Sequence, residues 1–586
     1  MDYKLKTGEG AEGGKTLGSA ARALTPLLAD ERTNLIIAIS CVIISSAASL
    51  LGPAIVARVI DTAMAKKDYG LLLKYSGWLS LVYLLALATS YLQTLRMGTV
   101  GRNVLYKMRN GLFTKLSNLP IAFFAQNRAG DLISRVNSDT DKINQFFAQA
   151  LMQFFGSAFL ITGAAILLLT FNWRLGIAAL IPALTILVIT RLISPWVKRT
   201  NRAGLEALGA LSGDISESLA NFKVIVAFGR TDYFREKFSQ ANERNYKASI
   251  AAGMASGVFM PLYTLAGSAG GILVLAFGVW LISQGALTVG LLIGYLLYVT
   301  AFYNPLRQLA TVWSSLQMAM AALDRVSEVL SLETDLVTVP DAPKGGKGAL
   351  LAFDHVSFAY GAGKTVLDNV TLTLERGKTY ALVGPTGGGK TTTAMLMARL
   401  YDPTTGAVYL DGRDIRGFTP AERAAKIGFI LQEPFLFAGT VRDNLSYGHE
   451  GLTALSDEDL AARLTAQGLD GFVARFNEGL ATPVGGAGDT LSLGQKQLVA
   501  FLRAVLREPE ILILDEATAN IDTVTEQLLE EVLGRLPAST TKVIIAHRLN
   551  TIREADDIFF VGGGALTEAG SMEDAMAMLL SSKRAS

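Results

Sequence analysis

Gly384-Pro385-Thr386-Gly387-Gly388-Gly389-Lys390-Thr391 fits the pattern G-x-x-x-x-G-K-[ST]. It follows the apolar run Thr379-Tyr380-Ala381-Leu382-Val383, which reads as a buried strand. It precedes Thr392 to Leu400, which has the spacing of a helix. Strand, glycine-rich loop and helix form the context that a phosphate-binding loop needs. The glycines let backbone N–H groups turn inward around phosphate oxygens, and the helix adds its positive end. Lys390 is placed to reach the outer phosphates, and the Thr391 hydroxyl to hold Mg²⁺. A plain glycine-rich turn before a helix does not account for this flanking pattern.

Composition bounds what the loop can drive. The chain has 586 residues, more than one ordinary core accommodates, so two or more domains are expected. Hydrophobic residues make up 50% and charged ones 18%, with a mean hydropathy of +0.36. That is too apolar for a soluble enzyme of this size. A net charge of +2 is neutral on an acidic partner, but the apolar half shows no concentrated basic face of the kind nucleic-acid binding needs, so no nucleic-acid partner is expected. The single cysteine, Cys41, excludes an intrachain disulfide. The first thirty residues carry scattered charges and no apolar region before a cleavage site, so no cleaved signal peptide is expected.

Upstream of the loop, residues 1–18 are rich in glycine and lysine and are expected to be disordered. Ser19 to Ala29 has the pattern of a short amphipathic helix at a membrane surface. Six apolar segments follow, at Asn34–Ala57, Tyr75–Leu95, Phe147–Thr170, Leu175–Val197, Ser256–Ser283 and Leu287–Tyr303. Most lack ionisable residues over about 17 to 25 positions, enough to cross a ~30 Å hydrocarbon layer. We read six membrane spans. The long loops 96–146 and 198–255 carry most of the Lys and Arg, among them Arg102, Arg109, Arg135, Lys198, Arg202 and Arg235. The positive-inside rule therefore places these loops and both termini in the cytoplasm of a cell bounded by this membrane. Their helical spacing predicts that the spans continue as helices well past the bilayer. Residues 333–348, rich in Pro, Gly and charge, read as a linker between a membrane domain at 19–332 and a soluble α/β domain at 349–586.

Within the soluble half, Ile511-Leu512-Ile513-Leu514 ends in Asp515-Glu516. An acid at the end of a buried strand can hold a Mg²⁺ shell through water, and the next carboxylate can take a proton from an attacking water. Alone, the pair could equally be an acidic strand end capping the next helix. A third strand, Val543 to Ala546, leads to His547, a candidate sensor of the outer phosphate.

With Leu491-Ser492-Leu493-Gly494-Gln495 before the Asp-Glu strand, Tyr360 upstream and Gln432 in Leu431-Gln432-Glu433-Pro434, the chain resembles an ABC exporter half-transporter of type IV. The resemblance runs from about Ala29 to Leu580. It implies a six-helix all-α membrane domain fused to a cytoplasmic P-loop ATPase, with ATP and Mg²⁺ as ligands. Tyr360 then stacks on adenine, and Gly384 to Thr392 cradle the triphosphate. Thr391 and Gln432 are the implied Mg²⁺ ligands, with Asp515 behind the water shell. Glu516 is the implied general base, and His547 holds the γ-phosphate and water in line. Ser492, Gly494 and Gln495 cap the ATP bound to a partner subunit, and Asp522 sits at the dimer seam.

Two departures stand out. Leu493 replaces the family's usual glycine in the signature. Thr482-Pro483-Val484-Gly485-Gly486-Ala487-Gly488 lacks the charged residues that commonly precede it and that address the membrane loops. Both homodimer and heterodimer fit the motif set, and the odd signature neighbourhood favours a heterodimer.

Phe123 and Phe124 lie in a stretch resembling the first coupling helix of these exporters, and Phe222 and Phe228 in the second. The alternative for the first pair is a staple between two helices. In the spans, the absence of deep acids and bases argues against an ion-coupled relay. Tyr295, Tyr298 and Phe302 share about one face of the sixth span and are candidate cargo-cavity residues, with packing or lipid contact as the alternative. The expected function is ATP-driven export of amphipathic or hydrophobic compounds, multidrug-type, by alternating access across the cytoplasmic or inner membrane. Lipid flipping or export of hydrophobic peptides is the nearest alternative, and an ATP-gated channel or regulator is more remote.

Overall fold

A computed structural model describes residues 3–5, 28–334, 336–340, 342–346, 348–361, 363–486, 490–515, 523–545, 553 and 555–585. The chain divides into two compact units. One comprises Leu5–Ser117 and Ala129–Ser331, the other Met1–Lys4, Asn118–Arg128 and Leu332–Ser586.

Among the described residues, the first unit is built on six helices long and apolar enough to cross a membrane: Ala29–Met64, Tyr69–Ser117, Ala129–Phe171, Trp173–Ala220, Thr231–Ser283 and Val289–Leu330. Each encloses or overlaps one predicted span, and each runs beyond it. At 1.5 Å per residue the longest, 53 residues, extends about 80 Å, more than twice a ~30 Å hydrocarbon layer. The loops read as helical extensions are therefore mostly continuous helix. Asn172 starts the fourth helix by accepting from the N–H groups of Arg174 and Leu175, both at 3.2 Å.

The first and sixth helices are tied at one end. Asp61 accepts from the Thr288 hydroxyl at 2.5 Å and from the Gly290 N–H at 2.8 Å. Gly290 permits this approach, because a β-carbon there would collide with the Ala57 carbonyl oxygen. Asp61 falls within a π-helical turn, Val59–Met64, that continues the first span past its predicted end.

Two more π-helical turns, Arg135–Asp139 and Phe146–Ala150, interrupt the third helix. The first of these turns buries Arg135 and Asp139. Arg135 is satisfied by Asp131, Glu328 and the Arg325 carbonyl, whereas Asp139 is paired with Lys142 and Arg325 through Oδ1 alone, its buried Oδ2 having no hydrogen-bond partner among the described residues. Charges this deep persist only when paired and hydrogen-bonded.

In the second unit the strands, in chain order, are β1 (Leu351–Ala359), β2 (Thr365–Leu374), β3 (Thr379–Val383), β4 (Thr405–Leu410), β5 (Arg413–Asp414), β6 (Ile427–Ile430), β7 (Gly439–Thr440), β8 (Pro483–Val484), β9 (Ile511–Asp515), β10 (Thr541–Ile545), β11 (Asp557–Gly562) and β12 (Ala565–Ala569). β2, β1, β4 and β5 make an antiparallel sheet. A six-stranded sheet has the order β12-β11-β3-β10-β9-β6, parallel except for β12. The near-continuous apolar reading of β3 and β9 follows from burial on both faces.

One core, around Phe353, Tyr380, Leu396 and Ile513, joins the two sheets. A second, around Leu445, Leu464, Phe501 and Leu512, gathers helices on the far side of β9. Register fixes where the strands stop. Ile545 pairs with both Leu382 and Asp515, and Leu514 with Ile430. The carboxyl ends of β3, β10, β9 and β6 therefore lie side by side, the edge at which open α/β sheets bind ligands.

Candidate nucleotide site and comparison with known proteins

The glycine-rich loop leaves β3 at this edge. Gly384, Gly387 and Gly389 have φ of 151°, 79° and 107°, a region closed to most side chains. A β-carbon on Gly384 would also collide with the Val561 carbonyl oxygen of β11. The loop then feeds the helix Lys390–Met397, with left-handed Gly389 as its N-cap residue. Lys390 is buried, and its Nζ donates to the carbonyls of Gly384 and Pro385 at 2.9 and 3.0 Å. The ammonium is thus held across the mouth of the loop. The Thr391 hydroxyl faces Asp515 at the end of β9, Oγ1 to Oδ1 being 3.4 Å. A hydroxyl and a buried carboxylate converging beside a glycine-rich loop at a helix start suit a magnesium-bound triphosphate.

Tyr360, just after β1, is 41% exposed. Its hydroxyl lies 3.0 Å from Thr392 Oγ1, so the ring is fixed to the same helix that the loop starts. Tyr401 packs edge-on against it at 5.3 Å, and burial pushes the Tyr401 phenol above its ordinary 10.0. Both rings line a cavity of about 840 Å³, together with Pro120 and Gln126 of the Phe123 segment. Gln432 follows β6 at the same sheet edge and is exposed.

Glu516, Asp522 and His547 lie outside the described residues. The described strands fix where the chain leaves the sheet toward them: Asp515 ends β9 one residue before Glu516, and Ile545 ends β10 two residues before His547.

The signature is built differently. Ser492 is the N-cap of the helix Leu493–Val505, accepting from Gln495 N–H at 3.2 Å, while Gln495 Oε1 accepts from Ser492 N–H at 3.0 Å. This reciprocal capping box explains the S-x-x-Q spacing locally. Gly494 is needed because a β-carbon would stand 2.8 Å from Thr525 Oγ1. Leu493, at the usual glycine position, points outward and is exposed. The helix packs into the second core through Leu498, Phe501 and Leu502, whereas the phosphate loop belongs to the first. Pro483 sits in the two-residue strand β8, paired with β7. Residues 487–489 lie outside the described residues.

Phe123, in the helix Ile121–Gln126, is fully buried within the nucleotide unit, and Phe124 is exposed. Phe222 and Phe228, flanking the helix Phe222–Ala227 of the membrane unit, are 56% and 77% exposed.

Tyr295, Tyr298 and Phe302 are buried inside the six-helix packing. Tyr295 donates to the Leu168 carbonyl and Tyr298 to the Leu50 carbonyl, both at 2.7 Å. Their hydroxyls satisfy backbone groups of neighbouring helices, so in this arrangement they pack rather than line an open wall. The neighbouring face of the fifth and sixth helices carries a cavity of about 280 Å³ instead, lined by Tyr263, Thr264, Ser268, Thr300, Asn304 and Arg307 among others. Spacing alone could have shown it: Thr300, Asn304 and Arg307 are four and three residues apart.

Residues 35–306 match the family model described as ABC transporter transmembrane region, and residues 367–519 match that described as ABC transporter. The ABC transporter ATP-binding protein YfiC of Bacillus subtilis is 33% identical over 581 residues, 98% of this chain and 94% of its own length. The fatty acid ABC transporter ATP-binding/permease protein of Mycobacterium tuberculosis is 33% identical over 499 residues, 85% of this chain and 78% of that protein. The multidrug resistance ABC transporter ATP-binding and permease protein of Lactococcus lactis subsp. lactis is 30% identical over 496 residues, 85% of this chain and 84% of it. With six spans, an aligned strand edge and its phosphate loop in one polypeptide, the chain belongs to the ABC transporter family, as a multi-pass exporter-type half-transporter whose fused ATPase couples ATP hydrolysis to transport.

Proposed function

We propose that this protein exports amphipathic or hydrophobic compounds across the cytoplasmic membrane by alternating access, as a dimer of half-transporters whose ATPase domains lie in the cytoplasm. The observation that carries the dimer is the split site. The phosphate loop, Thr391 and Asp515 converge at one sheet edge, whereas Ser492 heads an exposed capping box anchored in the other core. A second copy, or a related half-transporter, brings its own Ser492, Gly494 and Gln495 over the first chain's nucleotide. The domains are assigned as 19–332 and 349–586, joined by 333–348.

The roles then follow from residue chemistry. Tyr360 offers a flat face to adenine. The loop N–H groups and Lys390 hold the phosphates. Thr391 and Gln432 are the candidate Mg²⁺ ligands, with Asp515 holding the ion's water. Bound there, Mg²⁺ would neutralise charge on the outer phosphates. Glu516 accepts the proton of the attacking water, His547 orients it, and Asp522 belongs to the seam. Phe123 and Phe124 on one loop, with Phe222 and Phe228 on the other, carry the resulting motion to the spans. Closure must bind ATP better than the open arrangement does, or nothing is driven.

The mixed lining of the smaller cavity, hydroxyls and rings beside one guanidinium, supports amphipathic cargo. The names of relatives, one for multidrug resistance and one for fatty acid, support the same range. Arg307 in that cavity favours a second reading, in which the cargo is a lipid with an anionic head.

Reconstitution in vesicles with a labelled cargo panel tests the proposal. ATP should drive accumulation on the side remote from the ATPase. Glu516→Gln should retain ATP binding and nearly abolish turnover, and Lys390→Ala should lose binding. Turnover undiminished in the first variant rejects the assigned base. An active complex of identical chains excludes the heterodimer.

A further inference from the structure

Residues 1–18 read from sequence as disordered; of these the structure describes Tyr3, Lys4 and Leu5, which are ordered. Tyr3 is 2% exposed and among the largest fully buried side chains. Its backbone is captured on both sides. The Tyr3 N–H donates to Gln126 Oε1 at 2.8 Å, and Asn127 Nδ2 donates to the Tyr3 carbonyl at 2.9 Å. Asn127 Nδ2 also donates to the Phe123 carbonyl at 2.8 Å, so one amide joins the helix end to the Tyr3 segment. The Tyr3 ring meets Phe123 edge-on, centroids 6.5 Å apart. Disorder was expected from the glycine and lysine content of residues 1–18. A buried ring with two backbone hydrogen bonds offsets the cost of ordering so short a segment.

Lys4 follows directly and lines the 840 Å³ cavity with Gln126, Tyr360, Tyr401 and Asp402. Tyr360 in turn is joined to Thr392 of the phosphate-loop helix. Contacts thus lead from Tyr3 to Phe123 and Gln126, and Gln126 shares the lining of one cavity with the Tyr360 ring.

We propose that Tyr3 and Lys4 are positioning residues of the ATPase. Tyr3 holds the Ile121–Gln126 helix in register with the base site, and Lys4 sets a cation at the rim of the cavity that Tyr360 and Tyr401 line. The proposal rests on the adenine-stacking role assigned to Tyr360 but not on export or the identity of the cargo. Losing the Tyr3 ring loosens the helix from the base site, whereas reversing the charge of Lys4 disfavours a polyanionic ligand there. The two lesions therefore differ in kind.

The test uses the full chain in lipid nanodiscs, measuring ATPase activity against ATP concentration without cargo. Tyr3→Ala and Lys4→Glu should each raise KM for ATP about threefold or more, the loss of one modest contact. Lys4→Glu should leave kcat unchanged, since it touches no reacting group, and Tyr3→Phe should restore the parent KM. Docking is read separately by replacing Tyr3 and Gln126 with cysteine in a Cys41→Ser background and adding a short bifunctional thiol reagent. A cross-link within one chain is expected. Parent KM values in both Tyr3→Ala and Lys4→Glu, or no cross-link, overturn the proposal. Because Lys4 is exposed, its variant remains informative even if Tyr3→Ala fails to fold. Failure to export any cargo would count against the proposed function and leave this inference standing.

Discussion

Arg135 and Glu328 are 193 positions apart in sequence and meet at 2.8 Å, the arginine side chain being 2% exposed and the glutamate 26%. The pair ties the third long helix to the end of the sixth inside the membrane unit. Asp139, fully buried four residues on, makes a parallel tie through Arg325. Arg135→Met should destabilise the protein by about 2 kcal/mol, less than the ~3–5 kcal/mol of a wholly buried pair because Glu328 keeps some water. Adding Glu328→Gln should recover part of that loss. Thermal unfolding in detergent across the double-mutant cycle measures the coupling.

Thr391 and Asp515 meet across the end of the sheet. Under the proposed roles, Thr391→Val and Asp515→Asn should each weaken the apparent affinity for Mg²⁺ by roughly 10- to 100-fold, as loss of a ligand or its supporting carboxylate does. Nucleotide binding measured in EDTA should change far less. Magnesium titrations of the ATPase give the first quantity, and fluorescence of a labelled nucleotide the second.

Away from the site, Glu510, Asp411, Arg376 and Lys426 form a four-charge cluster that joins the starts of β3 and β9 to the turn after β4. Burial pushes the Glu510 carboxyl up, but hydrogen bonds from Lys426 and Arg376 outweigh it and hold the group below its ordinary 4.5. A carboxylate depressed by folding adds stability above its unfolded value, and that stability is lost as pH falls through the folded value. The cluster should therefore be intact at neutral pH and fail on the acid side of 4.5. Since its members are partly exposed, Glu510→Gln should cost no more than about 1 kcal/mol at pH 7. Melting temperatures of parent and variant should converge as pH drops below 4.5.

Arg307 tests the cargo reading. Arg307→Ala should reduce stimulation of the ATPase by anionic amphiphiles, such as a long-chain carboxylate, at least about fivefold, the loss of roughly 1 kcal/mol of a charge-assisted contact. Basal turnover and stimulation by neutral amphiphiles should hold. Dose–response curves with matched anionic and neutral compounds separate the two.

Much of this was legible because its signals are local. Six long apolar segments announce spans, and strand–glycine loop–helix announces the phosphate site. The convergence of Thr391 and Asp515 was readable as well, since the loop leading to Thr391 follows one buried apolar run and Asp515 ends another. What sequence could not reach is contact between distant stretches. Tyr295 and Tyr298 share a face, but which neighbour that face meets depends on helix packing, and packing gave their hydroxyls to the carbonyls of Leu168 and Leu50. Tyr3 was hidden for the same reason. Its segment has no periodicity of its own and is ordered by amides more than a hundred residues away. Asp61 read as a loop residue because the π-helical turn that carries it follows from Thr288 and Gly290, not from its own neighbours.

The alignment of four parallel strand ends has an evolutionary corollary. Phosphate loop, Asp515 and the exits toward His547 and Gln432 hang like teeth from one comb, about 4.8 Å apart, and a one-residue slip would turn a tooth to the wrong face. Such an engine tolerates almost no drift. The hydroxyl-lined face of the fifth and sixth helices is not tied to that register. One motor can thus serve many freights, and relatives a third identical can bear names as unlike as fatty acid and multidrug resistance.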